Sequence, residues 1–531
     1  MDIMITNPPG TFLLLSLLAI IFFIKPLLRY IIKRISDHIT TILLSDEYSK
    51  NIMELLPSLQ RFSVINLLEM SLRAQTGKAI KRPLGSPKHL MDYDTLMFNP
   101  HQMTELSLPE DTEMDMSVTI GPNAEKPMTI KIPLMIAGMA YGLALSEEAK
   151  IALARASKTL QTANCSGEGP FLPEEPGESG KFVLQICQWT WGARTLEQIA
   201  SADMLEIKMG QGADVGTSSI AAIELEGRAQ VLAGLKPGQP AKALLAPPGV
   251  EKNEDWPVFV KKLRLRANGI PIALKIMATD RIEEELSVAV QLGFDAVMID
   301  GTGGGSHATA PIKQDDFGIP GIIALIRAKQ YLKNHQISIV MSGGYFTPGQ
   351  CLKGLALGAD AIYLGTIPLF ALGHGQTEKF LPWEPPTTLI YYDSPTSAQL
   401  DIDQAATSVA NTLTSMVVEM QDAMRALGKS SLKQLSPDDL VALDSFTAEV
   451  TGVKQVFGYS GKKFTPEKLW KDQSAYSLTE PIQSLEVLKA LLDHAYRLTA
   501  FEEKLVTILR NNQLTEKIED IKTEYQAFEI K

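Results

Sequence analysis

Three glycine-bearing stretches carry the clearest chemistry in this chain: GTGGGS at 301–306, SGG at 342–344 and LGT at 364–366. Glycine has no Cβ, so its backbone N–H can approach an anion unobstructed, and runs of such groups form anion-binding hollows. Each stretch follows an apolar, strand-like run: DAVMID (295–300), ISIVM (337–341) and DAIYL (360–364). One glycine after a strand is ordinary turn chemistry. Glycines in register after three successive strands point instead to a phosphate site. After the second stretch, Thr347 can cap a helix with Pro348 in its first turn, which brings a positive helix end to the same place. One anchored phosphate favours FMN over a dinucleotide, whose GxGxxG fingerprint in a βαβ unit is not found. His307, inside the first glycine loop, reads either as a general acid/base or as a loop histidine facing solvent.

The elements that must position these loops are legible as a rhythm. From about residue 130, apolar runs recur at 131–139, 160–165, 181–187, 203–210, 270–277, 295–300, 337–344 and 360–365. Helical patterns separate them, so the expected fold is α/β, a (β/α)8 TIM barrel. SEEAKIALARASKTL (146–160) opens on an N-cap serine, and RIEEELSVAVQLG (281–293) closes on a glycine suited to the left-handed end of a helix. The Gly/Pro-rich connection from about 211 to 269 reads as a large loop on the active face.

The flanks differ. Residues 11–24, TFLLLSLLAIIFFI, are followed by Lys25, Arg29, Lys33 and Arg34, which suggests a transmembrane-like helix with the body on the cytoplasmic side of the cell membrane. A buried or interfacial helix is the other reading. The expected organisation is a membrane anchor (1–33), an extension packing on the barrel (34–125), the barrel (126–380), then a linker and helical C-terminal region (381–531). With 531 residues, 45% of them hydrophobic, the chain can bury a large core, and a net charge of −11 argues against nucleic acid as a partner. Cys165, Cys187 and Cys351 are too scattered for a metal or disulfide framework, and no metal site is expected.

The stretch from about 130 to 375 resembles the FMN-binding synthase domain of the glutamate synthase large subunit and its stand-alone relatives. The matching pieces, in the family's order, are NCSGEG (164–169), LEIKMGQGA (205–213), ALKI (273–276), IDGTGGGSHATAP (299–311) and SGGYFTPGQCLKGLALGADAIYLGT (342–366). The resemblance implies FMN as cofactor. It implies a flavin-edge loop at 139–145, with Ala140 and Gly142, and a phosphate cradle at Gly343, Gly344, Gly365 and Thr366. Gly303, Gly304 and Gly305 fall on the flexible loop beside it. Lys275 falls where a cation stabilises the charge of reduced flavin. Lys208 and Gln211 fall in the substrate pocket, and Glu168 is placed to orient a substrate amine or a cofactor group.

The resemblance also has departures. No glutamine amidotransferase domain is matched, so ammonia is not expected from glutamine within this chain. The stretch after the barrel, ALGHGQTEKFLPWEPP, has no cysteine, and no iron–sulfur cluster is expected. Asp214 stands where the family carries a lysine, in QGADVG, and the following TSSIAA replaces a glycine-rich continuation. The resemblance therefore implies an FMN oxidoreductase acting on a small keto acid or amine, with 2-oxoglutarate and ammonia the family default, and the N-terminal apolar run would tether it to the membrane. Its electron donor is open. Alternatives are an FMN dehydrogenase with an unrelated substrate, or a non-catalytic flavin- or phosphate-ligand-binding protein.

Overall fold

In the computed structural model, eight parallel strands close into a barrel: β1 (Leu134–Ile136), β2 (Ala163–Cys165), β3 (Lys181–Ile186), β4 (Met204–Lys208), β5 (Ile272–Met277), β6 (Ala296–Asp300), β7 (Ser338–Ser342) and β8 (Ala361–Leu364). The structure describes residues 9–47, 51, 53, 55–216, 219–220, 225–307 and 309–456, with side chains from 23 onward and none at 219–220. Each strand falls inside one of the apolar runs, and nearly every strand residue is buried, because one face meets the barrel interior and the other the surrounding helices. Parallel register sets Lys275 of β5 beside Lys208 of β4, and Asp300 of β6 beside Ser342 of β7.

A short antiparallel hairpin, Val118–Ile120 with Met128–Ile130, packs Ile120, Met128 and Ile130 onto the inward-facing Met135, Val183, Met204 and Met298. The hairpin reaches the strand starts, where the Gly121 N–H donates to Ser338 Oγ at 3.1 Å. It closes the amino end of the barrel and leaves the carboxyl end for the site.

The helices follow their local signals. Ser146 caps Glu147–Leu160 by accepting the Ala149 N–H, Gly293 ends Ile282–Leu292 at φ +74°, and Thr347 caps Pro348–Ala356 with Pro348 in the first turn. The connection after β4 is not all loop. Trp256–Ala267 forms a helix that buries Val260, Leu263 and Ala267, an i, i+3, i+7 stripe obscured by the Gly/Pro-rich pieces before it. Beyond the barrel, Ile402–Ala426 opens on the Asp401 cap and packs against Glu147–Leu160 and Thr366–Leu372. The extension and the C-terminal region also meet, because Leu96–Phe98 pairs antiparallel with Leu440–Ala442.

At the N-terminus, Pro9–Ser45 is one helix that runs through Pro26. No helix among the described residues is long and apolar enough to cross a membrane, so the expected anchor gains no support there. Most of its apolar run, residues 11–22, lies outside the described side chains. The helical pattern expected at 480–498, EPIQSLEVLKALLDHAYRL, lies outside the described residues.

Candidate active site at the carboxyl ends of the strands

A cavity of about 540 Å³ opens at the carboxyl end of the barrel, and it gathers the candidate cofactor and substrate residues together with Asp214 and His307. Gly303, Gly304, Gly305, Gly343, Gly344, Gly365 and Thr366 line it from the loops after β6, β7 and β8. Ala140 and Gly142 line it from the loop after β1, and Glu168, Lys208, Gln211 and Lys275 from β2, β4 and β5 or their loops.

The glycines after β7 are required by geometry. Gly343 and Gly344 have φ of +81° and +89°, backbone that L side chains rarely adopt. A Cβ on Gly343 would lie 2.5 Å from Asp300 Oδ1, and one on Gly303 would lie 2.8 Å from Gly344 Cα. A Cβ on Gly365 would meet nothing within 4 Å, so the third loop borders open space.

The floor carries buried polar groups. Lys275 is only 2% exposed, with Nζ 5.8 Å from the centre of the Tyr363 ring. Burial pushes the Asp300 carboxyl above its ordinary range, and the Lys275 charge and the Gly212 amide pull it back. Glu206 is wholly buried below and accepts from Gln185 Nε2 at 2.6 Å. Among the described residues Asp300 Oδ1, Gln185 Oε1 and Tyr363 OH have no hydrogen-bond partner, and all three residues line the cavity. Orphaned polar atoms in such a place are the acceptors and donors of a ligand or of ordered water.

On another wall, Lys208 Nζ lies 2.7 Å from Glu168 Oε1 and 3.2 Å from Asp214 Oδ2. Burial alone would lower the lysine's pKa, but the two carboxylates outweigh it and hold the ammonium above its ordinary range. Trp189 Nε1 donates to Glu168 Oε2 at 3.1 Å, and Trp191 Nε1 to the Glu168 carbonyl at 2.9 Å. Behind this loop the buried Arg194 donates to the carbonyls of Gln185 and Gly169. Reciprocal backbone bonds of 3.0 Å between Gln211 and Asp214 tie the loop after β4 into a tight turn.

His307 is not a solvent-facing loop residue. Its ring stands edge-on to Tyr391 with centroids 4.2 Å apart, and its Nδ1 is buried without a partner among the described residues. An N-terminal strap crosses beside it: Arg82 exchanges backbone bonds with Thr309, and the Leu84 N–H donates to the Ser306 carbonyl at 3.1 Å. The Arg82 side chain holds Glu69 at 2.8 Å, Gln314 at 3.0 Å and Asp315, so the strap pins the glycine loop after β6.

Sequence reasoning missed Gln185, Trp189, Tyr363, Tyr391, Asp393 and, from the strap, residues 79–81 and 84, all of which line the cavity. Gln185 and Tyr363 are polar groups near the ends of apolar strands, a signal of the kind that marked Lys275. The strap and the 391–393 segment have no local pattern that points to a site. Among the described residues no cluster of His, Cys, Asp or Glu is arranged to hold a metal ion, and all three cysteines are free and buried.

Residues 72–430 match the family described as a conserved region in glutamate synthase. A glutamate synthase large subunit-like protein of Rhizobium meliloti (strain 1021) is 30% identical over 419 residues, covering 74% of this chain and 93% of the relative. An archaeal-type glutamate synthase (NADPH) of Thermotoga sp. (strain RQ2) is 26% identical over 448 residues, covering 76% and 85%. An archaeal glutamate synthase (NADPH) of Archaeoglobus fulgidus is 27% identical over 383 residues, covering 70% and 73%. With a family match over more than half its length, laid on a barrel whose glycine loops, lysines and acids share one cavity, the chain belongs to the glutamate synthase family.

Proposed function

We propose that the chain is an FMN-dependent oxidoreductase of the glutamate synthase type, acting on the carbon–nitrogen bond of an imine or amine. The observation that carries this reading is that three glycine loops and two neighbouring strand lysines converge on one cavity. The residues fit FMN. Gly303, Gly304, Gly305 and Gly343 leave no room for a Cβ, Gly344 holds a left-handed φ of +89°, Gly365 borders open space, and the floor offers the unpartnered atoms Asp300 Oδ1, Gln185 Oε1 and Tyr363 OH.

Gly343, Gly344, Gly365 and Thr366 would hold the phosphate, and the 139–145 loop with Lys275 would border the ring. Bound FMN would supply hydride transfer between its N5 and the substrate carbon. Lys275 would place its ammonium beside the cofactor, which favours the state with more electron density. Glu168 and Lys208, the latter beside Lys275 in the barrel, would orient the substrate nitrogen. Lys208 stays protonated under its two carboxylates and so acts as a donor rather than a base. The glycine loop with His307 and the strap restricts water at the mouth. NADPH in the names of the Thermotoga and Archaeoglobus relatives favours a nicotinamide as the source of electrons. The apolar run at 11–24 and the basic residues after it support a membrane tether, with the body facing the cytoplasm. Salt-washed membranes should then retain the chain, and release by salt would contradict the tether.

The reaction is tested with FMN-loaded protein, photoreduced and mixed anaerobically with keto acids plus ammonia or an amine. Flavin reoxidation by at least one pair, lost in Lys275→Met protein that still binds FMN, is expected. A flavin that no pair reoxidises, or a Lys275→Met variant that matches the wild type, would contradict the proposal.

A further inference from the structure

We infer that the Glu168–Asp214 wall of the cavity receives the nitrogen of a cationic amine, and that Asp214 sets this preference against dicarboxylates. The inference rests on the reading of the site as a carbon–nitrogen oxidoreductase and names its substrate class.

Charge placement carries the argument. Two carboxylates share one ammonium here, at 2.7 and 3.2 Å, which leaves a surplus negative charge. The surplus faces the cavity: the Glu168 and Asp214 side chains are 22% and 24% exposed, while that of Lys208 is 5% exposed behind them. A substrate carboxylate at this wall would face two like charges before reaching a lysine already shared between them, and like charges at contact distance disfavour each other. A guanidinium fork, the group best matched to a carboxylate, is missing: among the described residues no arginine lines the cavity. Arg194 lies behind the loop, buried, with Nε on the Gln185 carbonyl and Nη2 on the Gly169 carbonyl.

The wall is built rather than incidental. The reciprocal Gln211–Asp214 backbone bonds fix the turn that presents Asp214. Trp189 fixes Glu168 Oε2, so both carboxylates are held in place before any ligand arrives. Trp189 also lines the cavity and stacks on Trp191 with centroids 5.2 Å apart, and an indole beside the amine adds a surface that favours a cation.

The test compares n-butylamine with 2-oxoglutarate on the full chain by titration calorimetry, with and without added FMN. Calorimetry reads the wall directly, so a protein that takes up no FMN would sink the cofactor reading while the charge inference is still tested. The expected result is that butylamine binds the wild type more tightly than 2-oxoglutarate does. Asp214→Asn should weaken the amine by about ten-fold or more, the loss expected for one charge-assisted hydrogen bond. Asp214→Lys should reverse the preference. Tighter binding of 2-oxoglutarate to the wild type, no binding of either probe, or an amine affinity unchanged in Asp214→Asn would each overturn the inference. The wild-type comparison stands even if a variant fails to fold.

Discussion

Lys208 and Lys275 sit side by side on β4 and β5, yet among the described residues only Lys208 is ion-paired. Its charge is shared between two carboxylates, whereas that of Lys275 would be available to the proposed cofactor. Lys275 was legible in the sequence because a lysine inside IPIALKIM is out of place in a buried strand. Glu206 was not. It also lies in a buried strand, but its partner Gln185 comes from a different strand, and no local spacing joins them. His307 was legible as a titratable group but not as a half-buried one, since its environment is made by Tyr391 from a distant segment. Burial lowers its pKa below the ordinary 6.5, Asp393 opposes that shift, and Lys81 adds to it. A folded-state pKa below the unfolded value means stability that is present above the unfolded pKa and lost as pH falls through the folded one. Thermal melts between pH 7 and about 5 should therefore show a larger loss for the wild type than for His307→Gln. Equal acid sensitivity of the two proteins would contradict the half-buried, neutral imidazole.

The strands and their following loops are the elements that make the site. Strand positions were readable because both faces are buried, which leaves near-continuous apolar runs. Helix ends were readable where a cap residue announced them, as at Ser146, Gly293 and Thr347. The helix Trp256–Ala267 was not, because its buried stripe is only three residues wide and follows a Gly/Pro-rich stretch. The loop after β7 makes the sharpest prediction at this scale. Gly343→Ala must adopt φ near +81° and place its Cβ 2.5 Å from Asp300 Oδ1. It should lose about 1–3 kcal/mol of stability from backbone strain alone, and its FMN affinity should fall with it. Chemical denaturation and fluorescence titration with FMN read the two effects. A variant with unchanged stability and affinity would mean that the loop relaxes freely and is not a fixed cradle.

At the scale of the whole molecule, the barrel supplies a rigid floor, and segments from both flanks close its mouth. The strap at 79–84 comes from before the barrel and the 391–393 segment from after it, and they meet the glycine loop from two sides. Neither was legible, because each is held by tertiary contacts such as Arg82 with Glu69 and Gln314 rather than by a periodic pattern of its own. The helix Ile402–Ala426 and the pairing of Leu96–Phe98 with Leu440–Ala442 join those flanks around the barrel. The fold thus commits much of the chain to one cavity with glycine loops, a lysine-bearing floor and an acidic wall, the features on which the proposed flavin and nitrogen-bearing substrate rest. The most direct test is the visible absorbance spectrum of the purified protein, with the released cofactor identified by mass. Flavin bands with FMN released in near-stoichiometric amount are predicted. A folded, colourless protein that takes up no added FMN would contradict the account.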